Sequence, residues 1–166
     1  MEKTDIQELI VKLSDKNGNE RRYARAELAK LGDETVDPLI VLLDSADHKL
    51  RWEAVKTLGQ VHSTKALPAL IKSLTDDKSD VRWLAAEGLI HLGKESLEHL
   101  MHELVKNYKS LHLRSGAHHI LKSLKQKGHF EDTHDLIRKL GKHFNIGDIA
   151  VSAEKLLEDL KKKTGN

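Results

Sequence analysis

The stretch VRWLAAEGL, residues 81 to 89, opens on an arginine–tryptophan pair, and RWEAVKTL at residues 51 to 58 opens the same way. These are the only two tryptophans in the chain, and they lie 31 residues apart. Placing the two arginines in register exposes a template with alanine at +3, leucine at +7 and valine or leucine at +10. From Arg51 these are Ala54, Leu58 and Val61; from Arg82 they are Ala85, Leu89 and Leu92. Arg21 carries the same set in Ala24, Leu28 and Leu31, and Arg114 carries it in Ala117, Leu121 and Leu124. The arginines are spaced 30, 31 and 32 residues apart, and a degenerate fifth copy runs from Ala150 through Ala153, Leu157 and Leu160. Four matches to a four-point template make this an internal repeat.

Spacings of 0, 3, 7 and 10 trace one stripe of an α-helix. Between these first helices lies a second pattern, apolar at 0, 3, 4 and 7. It reads Val36, Leu39, Ile40, Leu43, then Leu67, Leu70, Ile71, Leu74, then Leu97, Leu100, Met101, Leu104, and finally Thr133, Leu136, Ile137, Leu140. Each unit is therefore a pair of amphipathic helices. Breaks at Gly32-Asp33 and Gly93 separate the helices, and Asp47 and Ser79 are expected as N-caps. Pro38 and Pro68 fall near the start of second helices, where a missing N–H costs little. A pair of about 30 residues cannot bury its apolar faces alone, so neighbours must stack. The expected fold is all-α, a right-handed α-solenoid of about five helix pairs forming a single domain over residues 1–166. Residues 4–14 are expected to cap one end, four pairs to fill 19–143, and residues 147–163 to cap the other. Lys161, Lys162 and Lys163 suit a helix C-terminus.

Composition narrows the function classes. With 28 basic and 26 acidic residues the net charge is +2, too small for a strong global pull toward nucleic acid or membrane. Cysteine is absent, which removes disulfides and thiolate zinc sites. MEKTDIQELI has no apolar run of signal-peptide length, and no segment approaches the roughly 20 apolar residues of a membrane span. A cytoplasmic location is expected. No P-loop, GxGxxG or GxSxG motif occurs, so no catalytic residue and no cofactor is assigned.

The strings DHKLRWEAVKTLGQV, TKALPALIKSL and SDVRWLAAEGLIHLG resemble HEAT repeats, most of all the short subclass found in phycobilisome lyases. The resemblance runs from about Asn19 to His143. It implies a superhelix with the first helices on the convex side and the second on the concave side. It also implies that Arg21, Arg51, Arg82 and Arg114 form a ladder, pairing with carboxylates and helix-end carbonyls of neighbouring repeats; Asp47, Asp76, Asp77 and Asp80 stand nearby. A row of phosphate-binding guanidiniums is the other reading. HEAT arrays serve as scaffolds, adaptors, nucleic-acid binders and occasionally enzymes, so the fold alone does not select a function.

Trp52 and Trp83 sit about 160° from the centre of the core stripe on a helical wheel. They either pack between repeats or form an aromatic platform for a peptide or a base. Alkylpurine DNA glycosylases with HEAT-like repeats use tryptophans and a carboxylate, but this chain lacks their basicity. Nine of the eleven histidines lie at or after His91. Glu98/His102 and His99/Glu103 are i,i+4 pairs, a spacing open to metal ligation. The HEAT-like deoxyhypusine hydroxylases use repeated His-Glu dipeptides for iron, and here only His102-Glu103 matches. His102-Glu103 opens no HExxH motif either, because Lys106 takes the second histidine's place. No metal site is assigned.

The inner surface of a solenoid is its usual binding face. Outward positions on the second helices are Asp37, Val41, Lys72, His99, His102, Lys106, His134 and Arg138. The expected function is a non-catalytic protein-interaction scaffold or adaptor. Its partner, with an acidic segment or helix, would engage Lys72, His99, His102, Lys106 and Arg138, with Trp52 and Trp83 as further contacts. Histidines in that groove would tighten binding as pH falls toward about 6. Nucleic-acid binding through arginine, lysine and tryptophan is the alternative, followed by a lyase-like or metal-dependent enzyme.

Overall fold

A computed structural model describes residues 5–128, 133–141 and 145–164. Ten α-helices and three 3-10 turns make up the described residues, with no strand among them. They begin with α1 (Ile6–Lys12), whose first turn is capped by Asp5 accepting from the Gln7 N–H. Four helix pairs follow: α2 (Gly18–Leu31) with α3 (Val36–Val41), α4 (His48–Val61) with α5 (Leu67–Ser73), α6 (Ser79–Leu92) with α7 (Glu95–Asn107), and α8 (Leu111–Gln126) with α9 (His134–Leu140). The final helix is α10 (Ile146–Thr164). The chain divides into two compact units, Met1–His91 and Leu92–Asn166.

The repeat template is the core. Ala24, Ala54, Ala85 and Ala117 are all fully buried, as are Leu28, Leu58, Leu89 and Leu121. On the second helices, Leu67, Leu70, Ile71, Leu74, Leu97, Leu100, Met101 and Leu104 are buried. Ile40 and Leu43 reach only half-burial, because α3 stops at Val41 and passes into a 3-10 turn over Leu42–Asp44. Pro68 lies in the first turn of α5, where no N–H is required of it.

The caps follow helix-end chemistry with one departure from expectation. Asp47 caps α4 by accepting from the Lys49 N–H at 2.9 Å. Ser79 is instead the first helical residue of α6. The N–H groups there go to carboxylates: Lys78 donates to Asp76 and Val81 to Asp80. An aspartate carboxylate reaches further than a seryl hydroxyl and complements the positive helix N-terminus. At the other ends, Gly32 and Gly93 take positive φ (70° and 68°), a backbone that glycine adopts without strain and that stops the helix. The equivalent place after α4, eleven residues beyond the register arginine, is held by His62 at φ 56°.

Within the first unit α4 and α6 touch backbone to backbone. A Cβ placed on Gly59 would lie 3.1 Å from the Gly88 Cα, and one on Gly88 would lie 3.2 Å from the Gly59 Cα and 3.3 Å from Leu70 Cδ1. Two glycines in helix interiors, each normally unfavourable by about 1 kcal/mol, are tolerated because only hydrogens fit there. In the second unit α10 packs most extensively on α7 and also contacts α9. Its buried stripe is Ile149, Ala153, Leu156, Leu157 and Leu160.

Candidate functional site

The four register arginines share one local geometry. Each folds Nη1 back onto the carbonyl oxygens five and six residues earlier, where the preceding second helix or turn ends. Arg21 donates to Asp15 and Lys16 at 2.7 and 3.2 Å, and Arg51 to Ser45 and Ala46 at 2.8 and 3.4 Å. Arg82 donates to Asp76 and Asp77 at 2.7 and 3.1 Å, and Arg114 to Tyr108 and Lys109 at 2.9 and 3.0 Å. A guanidinium with five donors satisfies carbonyls of the turn that leads into its own helix while that helix continues.

Two of the four also hold carboxylates. Arg51 grips Asp76 with two bonds, 2.8 and 3.1 Å, and reaches Asp77 as well. The Asp76 carboxylate raises the Arg51 pKa further above its ordinary value. Arg21 Nε donates to Glu53 at 2.7 Å, and Arg25 closes on the other Glu53 oxygen. Glu53 is 4% exposed, so a carboxylate is buried on α4 between two cations of α2. Asp47 is taken up by its capping bond and Asp80 by the Val81 N–H. Glu53 was not among the acidic residues the sequence suggested. Its only signal was an acidic residue two positions after the register arginine, next to the core alanine.

The two tryptophans share a register and differ in surroundings. Trp52 is half-buried, with Lys56 Nζ 4.4 Å and the Arg25 guanidinium 5.9 Å from its ring centroid. Burial first, then the positive charge of Arg25, holds the Lys56 pKa below the ordinary lysine value. Trp83 is 58% exposed. Arg22 and Ser115, at the same place in the first and fourth repeats, are exposed too. Trp52 also lines an open cleft of about 630 Å³ in the first unit, with Leu13, Asp15, Arg21, Leu50 and Glu53 on its walls. No local pattern of residues marks this cleft, because its walls come from three separate segments.

The outward positions of the second helices are all exposed: Asp37, Val41, Lys72, His99, His102, Lys106, His134 and Arg138. Lys72 pairs with Asp44 at 2.8 Å, both side chains more than two-thirds exposed. His102 Nε2 lies 3.8 Å from the Glu98 carboxylate one turn away. Arg138 donates to Asp135, whose carboxyl is held well below the usual range by Lys139 first and Arg138 second. His99, His102 and Lys106 occupy i, i+3 and i+7 of α7 and so share one helical stripe. Lys72 belongs to the first unit, and the other five cationic or histidine positions belong to the second. His118 is half-buried, and burial pushes its pKa below the ordinary histidine value, aided by Lys122 and His119. Among the described residues no three histidine, aspartate or glutamate side chains gather as metal ligands. No described helix is long and apolar enough to cross a membrane.

Repeated helix pairs, each fixed by one arginine folded onto the preceding turn, define an all-α helical-repeat protein of the solenoid class. A family model described as HEAT repeats matches residues 6–90, 85 of the 166 residues. The chain belongs to the HEAT-repeat family. Among solved structures, a chain of the complex of CpcE and CpcF of phycocyanin lyase from Nostoc sp. PCC7120 shares the fold. The TM-score is 0.60 with 23% identity, covering 90% of this chain and 97% of that one. An engineered protein matches at a TM-score of 0.42 and 18% identity, covering 91% of this chain and 77% of its own. No curated protein matches the chain.

Proposed function

We propose that this HEAT-repeat protein is a non-catalytic scaffold or adaptor that binds a partner protein through the outward side chains of its second helices. The observation that carries this reading is the stripe His99, His102 and Lys106 on α7, exposed along two turns of one helix while Leu97, Leu100, Met101 and Leu104 on its other side are buried. His102 makes a long contact with Glu98 one turn away, at the surface. A stripe of hydrogen-bond donors and one fixed cation suits an acidic segment or helix laid along α7. Arg138 on α9 extends the set in the second unit. In the first unit, Lys72 is the corresponding cation, and Trp52 and Trp83 are aromatic anchors of the kind that dominate interfaces. The assembly named for the similar solved structure, a complex of two proteins, supports a protein partner. The register arginines favour protein over nucleic acid, because each spends Nη1 on backbone carbonyls and two hold carboxylates.

Affinity capture with the full chain tests the reading. A specific protein retained by wild type and lost with His102→Glu/Lys106→Glu is the expected result. Retention of the same protein by that variant, or recovery of nucleic acid alone, overturns it.

A further inference from the structure

We propose that His62 and His91 form a two-histidine site for a borderline divalent transition-metal ion (Zn²⁺, Ni²⁺ or Cu²⁺), joining the second and third repeats of the first unit. The two rings stand 6.0 Å apart between centroids and are nearly perpendicular. An ion bound ~2.1 Å from each Nε2 lies roughly 3.2 Å from each centroid, so two rings on one ion have centroids about 4.5 Å apart at a right angle, ~5.2 Å at the tetrahedral angle and ~6.4 Å in line. The observed separation falls inside that span.

Ring chemistry points the same way. His62 Nδ1 is 2.8 Å from the Gln60 carbonyl oxygen, and His91 Nδ1 is 2.8 Å from the Glu87 carbonyl oxygen. A carbonyl only accepts, so Nδ1 carries the hydrogen in both neutral rings, and both Nε2 lone pairs are left for a ligand. Backbone carbonyls that fix the tautomer in this way are the usual outer shell of a metal-bound histidine. Both side chains are exposed, so water completes the coordination.

The backbone holds the pair in place. Gly59 and Gly88, the backbone contact between α4 and α6, lie three residues before His62 and His91 respectively. His62, left-handed at φ 56° and ψ 30°, stands at the place where Gly32 and Gly93 take positive φ in the neighbouring repeats. That conformation disfavours a side chain, and a strained residue retained where glycine serves elsewhere marks a role for the side chain itself.

Calorimetric titration of the untagged full chain at pH 7.5 with Zn²⁺, Ni²⁺ and Cu²⁺ in turn tests the site. Wild type is expected to bind one equivalent, tightest for Cu²⁺ as imidazole ligands dictate, with a raised melting midpoint. Both His62→Gly and His91→Gln are expected to weaken binding at least tenfold, while His99→Gln/His102→Gln leaves it intact. His62→Gly relieves backbone strain, so its loss of metal does not reflect misfolding. A long-range ¹H–¹⁵N spectrum is expected to show the Nε2 resonances of these two rings shifting with added Zn²⁺. No stoichiometric binding by wild type, equal binding by the single variants, or loss only in the His99/His102 variant overturns the proposal.

Discussion

The leading edge of the first helices and the outward face of the second helices carry similar charged residues and use them in opposite ways. At the edge, Arg21, Arg51, Arg82 and Arg114 spend their donors on the chain's own carbonyls, and Glu53 and Asp76 are enclosed by guanidinium groups. On the outward face, Lys72, His102 and Lys106 stand in solvent, and Lys72 meets Asp44 in an exposed ion pair. Charge desolvated and hydrogen-bonded within the fold specifies structure; charge left in water costs the fold almost nothing and remains available to a partner. The difference separates residues that set the repeat from residues that can serve recognition.

The largest expected effect lies at the buried edge. Glu53→Gln leaves Arg21 and Arg25 without their counter-charge and is expected to lower stability by about 3 kcal/mol, read from urea unfolding. A loss below ~0.5 kcal/mol would put Glu53 in the same class as the surface charges.

Gly88→Ala sharpens the picture of the contact beneath. An exposed helical glycine gains about 1 kcal/mol on becoming alanine. Here the new Cβ meets backbone at 3.2 Å and Leu70 at 3.3 Å, so a net loss of ~1–2 kcal/mol is expected. A gain would show that α4 and α6 separate freely.

The two kinds of register arginine can be set against each other. Arg51→Lys gives up the two-pronged grip on Asp76 and should cost about 1 kcal/mol more than Arg114→Lys, which gives up carbonyl bonds only. Equal losses would mean that the carbonyl bonds carry the whole effect. His62→Gly is expected to move the other way, raising stability of the metal-free protein by ~0.5–1 kcal/mol, because glycine takes φ 56° without strain.

The smallest effect concerns pH. The folded pKa of His118 is depressed, so as pH falls below 6.5 the unfolded chain takes up the proton first. This part of the stability is intact above pH 6.5 and is lost as pH falls through the folded value. The unfolding midpoint of wild type should therefore drop over that window more than that of His118→Gln.

Much of the edge was legible in the sequence and little of the surface was. Arginine, alanine and leucine at fixed offsets reported the helix pairs, because a packed stripe admits few residue types at each place. Partners that reach across repeats left weaker traces. Asp76 and Asp77 could be suspected from proximity, whereas Glu53 lies 32 residues from Arg21 and looks like any helical glutamate. His62 was hidden for another reason: its distinction is a backbone angle, which the pattern of residue types does not record. The open cleft beside Trp52 depends on how three segments meet, which no local pattern records.

The most direct measurement is a pair of readings on Lys72→Glu and His102→Glu/Lys106→Glu: the urea midpoint, and capture of the partner retained by wild type. Both variants are expected to keep midpoints within ~0.5 kcal/mol of wild type, and the α7 variant to lose the partner. Unfolding of these variants, or full retention of the partner by a folded α7 variant, would contradict the division between a structural edge and a recognition face.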